Sequence, residues 1–165
     1  MNILNKFFNE KNDNYDKAKL GLKNVKRKFD GFEITFPDVT PNEIMFIKDK
    51  WETLPKNLAN GVKIMALSFK KGLKSLITIY EPNAYIMPHR HINEYEVGII
   101  LKGSIMDKFN GKIYNVGDGY KFLPNEIHYL LSTKDGCVVH SALTPDYTYL
   151  LKPLPKNTLS KLKLA

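Results

Sequence analysis

The chain has 165 residues, 43% hydrophobic and 25% charged, with one cysteine and a formal net charge of +8 at pH 7. That length predicts one domain with enough chain to bury a core, and the composition excludes a disordered or fibrous protein. The lone Cys137 excludes an internal disulfide and predicts a reducing, cytoplasmic setting, while the lack of a long apolar run predicts neither a signal peptide nor a membrane partner.

The positive charge does not predict a nucleic-acid partner, because it is concentrated at the two ends. Residues 1–30 carry eight Lys/Arg against four acids, and residues 146–165 carry four Lys against one acid. The middle, 31–145, is near neutral, with thirteen bases against twelve acids. Lysine-rich ends of this kind read first as solvated surface.

In chain order, Asn14-Tyr15-Asp16 is placed to cap a short helix through Ala18, Leu20, Leu22 and Val25. Residues 31–36 alternate and predict an edge strand that ends at Pro37. Pro41-Asn42-Glu43 starts a turn or short helix, and Trp51 is expected to pack on the β-rich region C-terminal to it. From Val62 the texture changes to short β-prone runs separated by turn residues. They cover roughly 62–70, 75–80, 84–91, 95–101, 104–109, 112–116, 119–123, 127–132, 137–142 and 147–151. Asn110-Gly111 predicts a two-residue type I′ hairpin. The whole reads as an all-β sandwich or barrel: 1–50 an extension, 51–152 the barrel, 153–165 a basic tail.

Three of the four histidines fall into one pattern with a carboxylate. His89 and His91 are two apart, so on a strand they share a face, and Glu96 follows five residues after His91. Gly103 closes the next β-prone run, and His128 comes after Gly117, Gly119 and Pro124. Three imidazoles and a carboxylate suit one divalent transition metal, such as Fe, Mn, Ni or Zn, with positions left for water or substrate. Glu94 is the rival carboxylate, since it has the same parity as Glu96. Alternation places Tyr85 and Met87 inward with the histidines and Ile86, Pro88 and Arg90 outward, and leaves Gly98 as room beside the metal. Tyr80, Tyr85, Met87, Ile100, Phe122 and Leu130 are the candidates for an apolar and aromatic substrate pocket. His140 has two readings, a proton-moving group near the metal or a hydrogen-bonded core histidine. Cys137 reads as a small buried apolar residue.

His89-x-His91, four residues, Glu96, six residues, Gly103 resembles the first motif of the cupin superfamily. Gly117/Gly119…Pro124…His128 is similar to the second, with Glu126 where the family prefers glycine and His128 one residue early. The resemblance covers about 50–142 and looks most like the subset with ChrR-type cupin domains and acetylacetone-cleaving dioxygenases. It implies a cupin-type double-stranded β-helix (jelly roll) barrel with a short, partly helical N-terminal extension. It implies His89, His91, Glu96 and His128 as metal ligands, with His140 or Glu94 moving a proton. The implied partner is a small organic substrate, an enolisable dicarbonyl in the dioxygenase case, and the implied assembly a homodimer through edge strands such as 31–36. A non-catalytic metal- or ligand-sensing module is the alternative. Residues 1–88 contain neither His nor Cys, so the zinc-dependent sigma-factor partnership of the ChrR type is not expected.

Overall fold

The computed structural model describes strand residues 24–29 and 32–37, and residues 48–164 apart from 55, 57 and 71. Strands β1 (Asn24–Phe29) and β2 (Phe32–Pro37) form an antiparallel two-stranded sheet of their own. Val25 therefore lies on a strand rather than at the end of a helix, and the rest of the expected helix falls outside the described residues, as does the segment from Pro41 to Glu43. The expected strand at 31–36 exists, but one of its edges is taken by β1 of the same chain.

Seven further strands make one antiparallel sheet. They are β3 (Trp51–Thr53), β4 (Ala59–Lys70), β5 (Leu73–Ile86), β6 (Tyr95–Asp107), β7 (Ile113–Asn115), β8 (Gly119–Phe122) and β9 (Leu130–Thr144). The order is β3-β4-β5-β9-β6-β7, with β8 also on β6. One helical turn, α1 (Thr158–Lys161), lies near the C-terminus. The architecture is an all-β jelly roll. No described helix is long and apolar enough to cross a membrane.

The sequence reading splits each of the three longest strands in two, and the structure joins the pieces at bends. In β5 the break falls at Pro82-Asn83, where Asn83 has φ 58° and the pairing with β9 slips between Tyr80 and Tyr85. In β6 it is Gly103 at φ 69°, and in β9 it is Gly136 at φ 70°. These bends meet. Cys137 pairs with both Tyr80 and Gly103, and a Cβ on Gly103 would lie 2.0 Å from the Gly136 carbonyl oxygen. Turn residues that read as strand ends are thus one shared corner, over which the sheet folds to face itself. Ser132 Oγ satisfies the corner backbone, accepting from Ala84 N at 2.8 Å and donating to Glu81 O at 2.5 Å. Between the facing halves lies a core that includes Ile64, Leu76, Ile100, Ile105, Leu130 and Val139.

Two local expectations change for identifiable reasons. The turn after β6 is a five-residue loop, 108–112, in which only Gly111 has positive φ, so it is not a type I′ hairpin. Asp107 Oδ1 takes the Phe109 N–H at 2.8 Å, and Gly111 N donates to Asp107 O at 2.8 Å, which closes the longer loop first. Residues 147–151 form no strand. Asp146 Oδ1 instead accepts from both the N–H and the hydroxyl of Thr148, a side-chain turn that competes with the ladder.

Gly103→Ala is expected to cost at least about 2 kcal/mol, because positive φ and a rigid carbonyl both oppose the added methyl. Urea unfolding of that variant beside wild type measures it. A loss below half of that figure would show that the corner relaxes easily.

Candidate metal centre

β5 ends at Ile86, and the chain bends through Met87 and Pro88 before touching the sheet again at His89. There His89 and His128 form a single antiparallel bridge, with His89 N donating to His128 O at 3.1 Å and His128 N donating to His89 O at 2.9 Å. Neither histidine lies on a regular strand. The bridge nevertheless sets their rings side by side, with centroids 4.2 Å apart. Asn125 N donates to His91 O at 2.8 Å and ties the second histidine to the loop before His128. Glu126 closes that loop by accepting the Leu123 N–H at 2.6 Å. Burial pushes the Glu126 carboxyl up, against the lowering effect of that hydrogen bond.

His89, His91, Glu96 and His128 each offer one ligand atom within 4.8 Å of all the others. The contacts form a chain. His91 Nε2 is 2.9 Å from Glu96 Oε2, Glu96 Oε2 is 3.1 Å from His128 Nε2, and His128 Nε2 is 3.0 Å from His89 Nε2. The other ring nitrogens fix the tautomers of two rings. His89 Nδ1 donates to Met87 O at 2.8 Å and His128 Nδ1 to Glu126 O at 3.1 Å. In the neutral state both Nε2 atoms then present lone pairs to each other at 3.0 Å, which is repulsive without a cation between them. Burial, then the neighbouring His128 and His91, holds His89 well below the ordinary imidazole value, so a proton fills that role poorly. For Glu96 burial acts to raise the carboxyl, but the neighbouring imidazoles of His128 and His91 prevail and hold it well below the usual range.

The spacing also fits a metal. Two donors at about 2.1 Å from one ion lie about 3.0 Å apart at a right angle and about 3.4 Å apart at a tetrahedral angle. The three contacts match the right-angle value. Four such ligands leave positions open, unlike a closed structural zinc site.

Surrounding side chains hold this geometry. Tyr120 donates its phenol hydrogen to Glu96 Oε1 at 2.8 Å, leaving Oε2 to the imidazoles. Phe122 stacks flat on His128, 4.3 Å between centroids and 2° between planes. Gly98 pairs with Tyr120 across β6 and β8, and a Cβ there would fall 2.2 Å from the Tyr120 ring. The glycine makes room for a tyrosine rather than for the ion itself. Sequence reasoning misses Tyr120; its register opposite Gly98, two residues before Phe122, is the signal that marks it once the pairing is known.

His89, His91, Glu96 and His128 line a cavity that opens to solvent. Its walls carry Leu54, Leu58, Ile64, Leu76, Ile86, Leu130 and Leu143, with the hydroxyls of Thr78, Tyr80, Tyr120 and Ser141.

Family models give no match to the chain. A curated relative, the pectin degradation protein KdgF of Dickeya dadantii (strain 3937), is 26% identical over 102 residues, 61% of this chain and 91% of that protein. Among solved structures, KdgF from Halomonas sp. superposes with a TM-score of 0.52 at 14% identity, over 63% of this chain and 96% of that one. An acetylacetone dioxygenase from Acinetobacter johnsonii gives 0.51 at 11% identity, over 62% and 73%. A cupin-like protein from Thermotoga maritima gives 0.50 at 18% identity, over 73% and 96%. The fold is that of the cupins.

Within this fold the structure places the sequence candidates unevenly. The four expected ligands come together, and Tyr80 and Leu130 line the cavity. Tyr85 and Met87 do not; Ile86 takes that wall, because the bend at Met87-Pro88 puts the chain out of alternation before His89. Tyr85 instead meets the edge of Tyr129 at 6.3 Å. Arg90 is buried rather than outward, for the same reason. Ile100 is in the core but not on the cavity wall, and Phe122 backs His128 instead of facing a ligand. Glu94 pairs with Lys74 at 3.2 Å, away from the cavity. His140 lies on the face of β9 opposite Ser141 and Leu143, with its Nε2 3.0 Å from Ser75 Oγ. It is the hydrogen-bonded core histidine of the two readings, and neither it nor Glu94 reaches the cavity to move a proton. Cys137 is buried in the core, and its thiol is pushed up to about 12 by that burial.

Tyr120→Phe is expected to lower metal affinity about tenfold to a hundredfold while leaving the fold intact. Competition with a coloured chelator measures this, and unchanged affinity would remove the phenol from the site's support. His140 supplies a pH test. Burial holds it below the ordinary 6.5, so the unfolded chain takes the proton first, and stability present above 6.5 is lost as pH falls below it. Metal-free wild type should therefore melt lower at about pH 5 than at about pH 7.5, and His140→Gln should show a shallower fall. Equal slopes for the two would contradict the assignment.

Proposed function

We propose that this chain is a mononuclear metal-dependent enzyme acting on a small organic molecule, with one divalent transition metal held by His89, His91, Glu96 and His128. The observation that carries the reading is the run of 2.9, 3.1 and 3.0 Å contacts linking three imidazole nitrogens and one carboxylate oxygen at the wall of an apolar cavity. The ion, when bound, supplies Lewis acidity toward an oxygen ligand, and iron would also supply oxygen chemistry.

The chain's own groups set the conditions for that chemistry. Met87 O and Glu126 O keep the Nδ1 protons of His89 and His128 in place, so both rings offer Nε2. Tyr120 occupies one oxygen of Glu96 and Phe122 fixes the plane of His128. The aliphatic wall excludes water from the reacting end of a ligand. One carboxylate beside a dication leaves a net charge of one plus, which complements a monoanion such as an enolate. An enolisable dicarbonyl, dioxygenase-like reading draws on that charge and on the family resemblance. The relative named for pectin degradation supports a sugar-derived substrate instead, and the absence of any lysine or arginine on the described wall speaks against an acidic one.

One observation favours a second reading. With Glu94 and His140 off the cavity, no titratable side chain except the ligands and two phenols lines it among the described residues. A non-catalytic cupin that binds a metal and a small ligand needs no more than this. The family resemblance also supports a homodimer, which light scattering tests, and the lone cysteine supports a cytoplasmic setting.

The test is elemental analysis of protein purified without a metal-affinity step, beside His91→Ala, and then oxygen uptake with pentane-2,4-dione. About one iron, manganese, nickel or zinc per chain is expected, and it should be lost in the variant. Uptake above the variant's rate supports the enzyme; metal without turnover supports the binding module; no metal after reconstitution ends both readings.

A further inference from the structure

Three hydroxyl groups in the cavity have no role in holding the imidazoles. Thr78, Tyr80 and Ser141 all line it, and each residue is buried, at 5%, 6% and 4% exposure. Thr78 and Tyr80 are two apart on β5. Ser141 is on the neighbouring β9, where it pairs with Leu76 and where Val139 pairs with Thr78, so the three share one inner wall. Among the described residues no side chain or backbone group hydrogen-bonds any of these hydroxyls. Tyr120, the other hydroxyl of the cavity, is committed to Glu96. None of the three oxygens is among the fully buried unpartnered atoms, so each opens onto the cavity, where a water or an oxygen of a ligand can supply its partner.

We propose that Thr78, Tyr80 and Ser141 form a neutral hydroxyl subsite that receives an oxygen atom of the ligand, and that the cavity therefore selects uncharged or singly anionic oxygen chelators with an apolar body. The inference rests on the metal reading above for the chelated end of the ligand. The charge argument gives it direction. No lysine or arginine lines the described wall, so nothing there neutralises a second negative charge. An enolate against the Glu96-bound dication leaves the buried site neutral, whereas a dicarboxylate leaves it one minus inside aliphatic walls. Hydroxyls also both donate and accept, which suits a carbonyl or hydroxyl oxygen, while a carboxylate or phosphate is better held by a guanidinium or ammonium. Burial first, then the charges of Glu96 and Cys137, keeps the Tyr80 phenol well above its ordinary value, so it remains a donor.

The experiment compares two probes of the same bite, pentane-2,4-dione and malonate, by calorimetry on the metal-loaded full chain, with metal content measured on every sample. Pentane-2,4-dione should bind more tightly than malonate. Tyr80→Phe and Ser141→Ala should each weaken it about three- to tenfold, at unchanged metal content. Malonate binding as tightly as the dione, or variants that bind like wild type, would overturn the subsite. Repeating the titration on metal-free protein by ligand-observed NMR separates the two readings. Dione binding that needs Tyr80 and Ser141 but no metal keeps the subsite while the metal reading fails, and no binding in either form overturns the subsite.

Discussion

The bridge between His89 and His128 is the contact on which the site depends. Two backbone hydrogen bonds join segments that belong to no regular strand, 39 residues apart in sequence. Backbone hydrogen bonds fix the two α-carbons; the carbonyls of Met87 and Glu126, each two residues back along the chain, then fix the rings. The rings are thus aimed by main chain, which tolerates little movement, rather than by other side chains. The result is a pair of nitrogen lone pairs converging at 3.0 Å, an arrangement that a protein carries at a cost unless a cation occupies it.

The jelly roll supplies the platform for this bridge through its bends. Pro82-Asn83, Gly103 and Gly136 meet at one corner, and the long strands β5, β6 and β9 turn there together. Folding the sheet over that corner encloses the cavity and brings β5, β8 and β9 residues around the ligands. The close approach of Gly103 to the Gly136 carbonyl ties corner and core to the same backbone geometry.

Legibility in the sequence tracked the range of the physics involved. The cluster was readable because metal chemistry demands particular side chains at particular spacing, and His89, His91, Glu96 and His128, picked out on that ground, come together in the fold. The strands were readable from alternation, but their continuity was not, since a glycine that bends a strand and a glycine that ends one look alike until the neighbours are placed. The cavity wall was the least legible part. Alternation carried backward from His89 selects Tyr85 and Met87, and a single bend at Met87-Pro88 hands the position to Ile86. His140 shows the same limit: its parity on β9 separates it from Ser141, but which face is inward depends on the whole sheet.

Tyr120 and Gly98 show why the support of a site is harder to read than its ligands. The tyrosine matters only because Glu96 needs one oxygen occupied, and the glycine matters only because that ring must lie over it. Each is unremarkable alone in the sequence, and their meaning arises from the β6–β8 register that sets them opposite one another. The same register places Glu96 opposite Phe122, whose ring lies flat on His128. One short strand of four residues therefore steadies both the carboxylate and an imidazole. A site braced in this way has its ligands and their charge set in advance, while its described wall holds no free base. Besides the imidazoles and the carboxylate, the described wall offers only the hydroxyls of Thr78, Tyr80, Tyr120 and Ser141 as proton-bearing side chains.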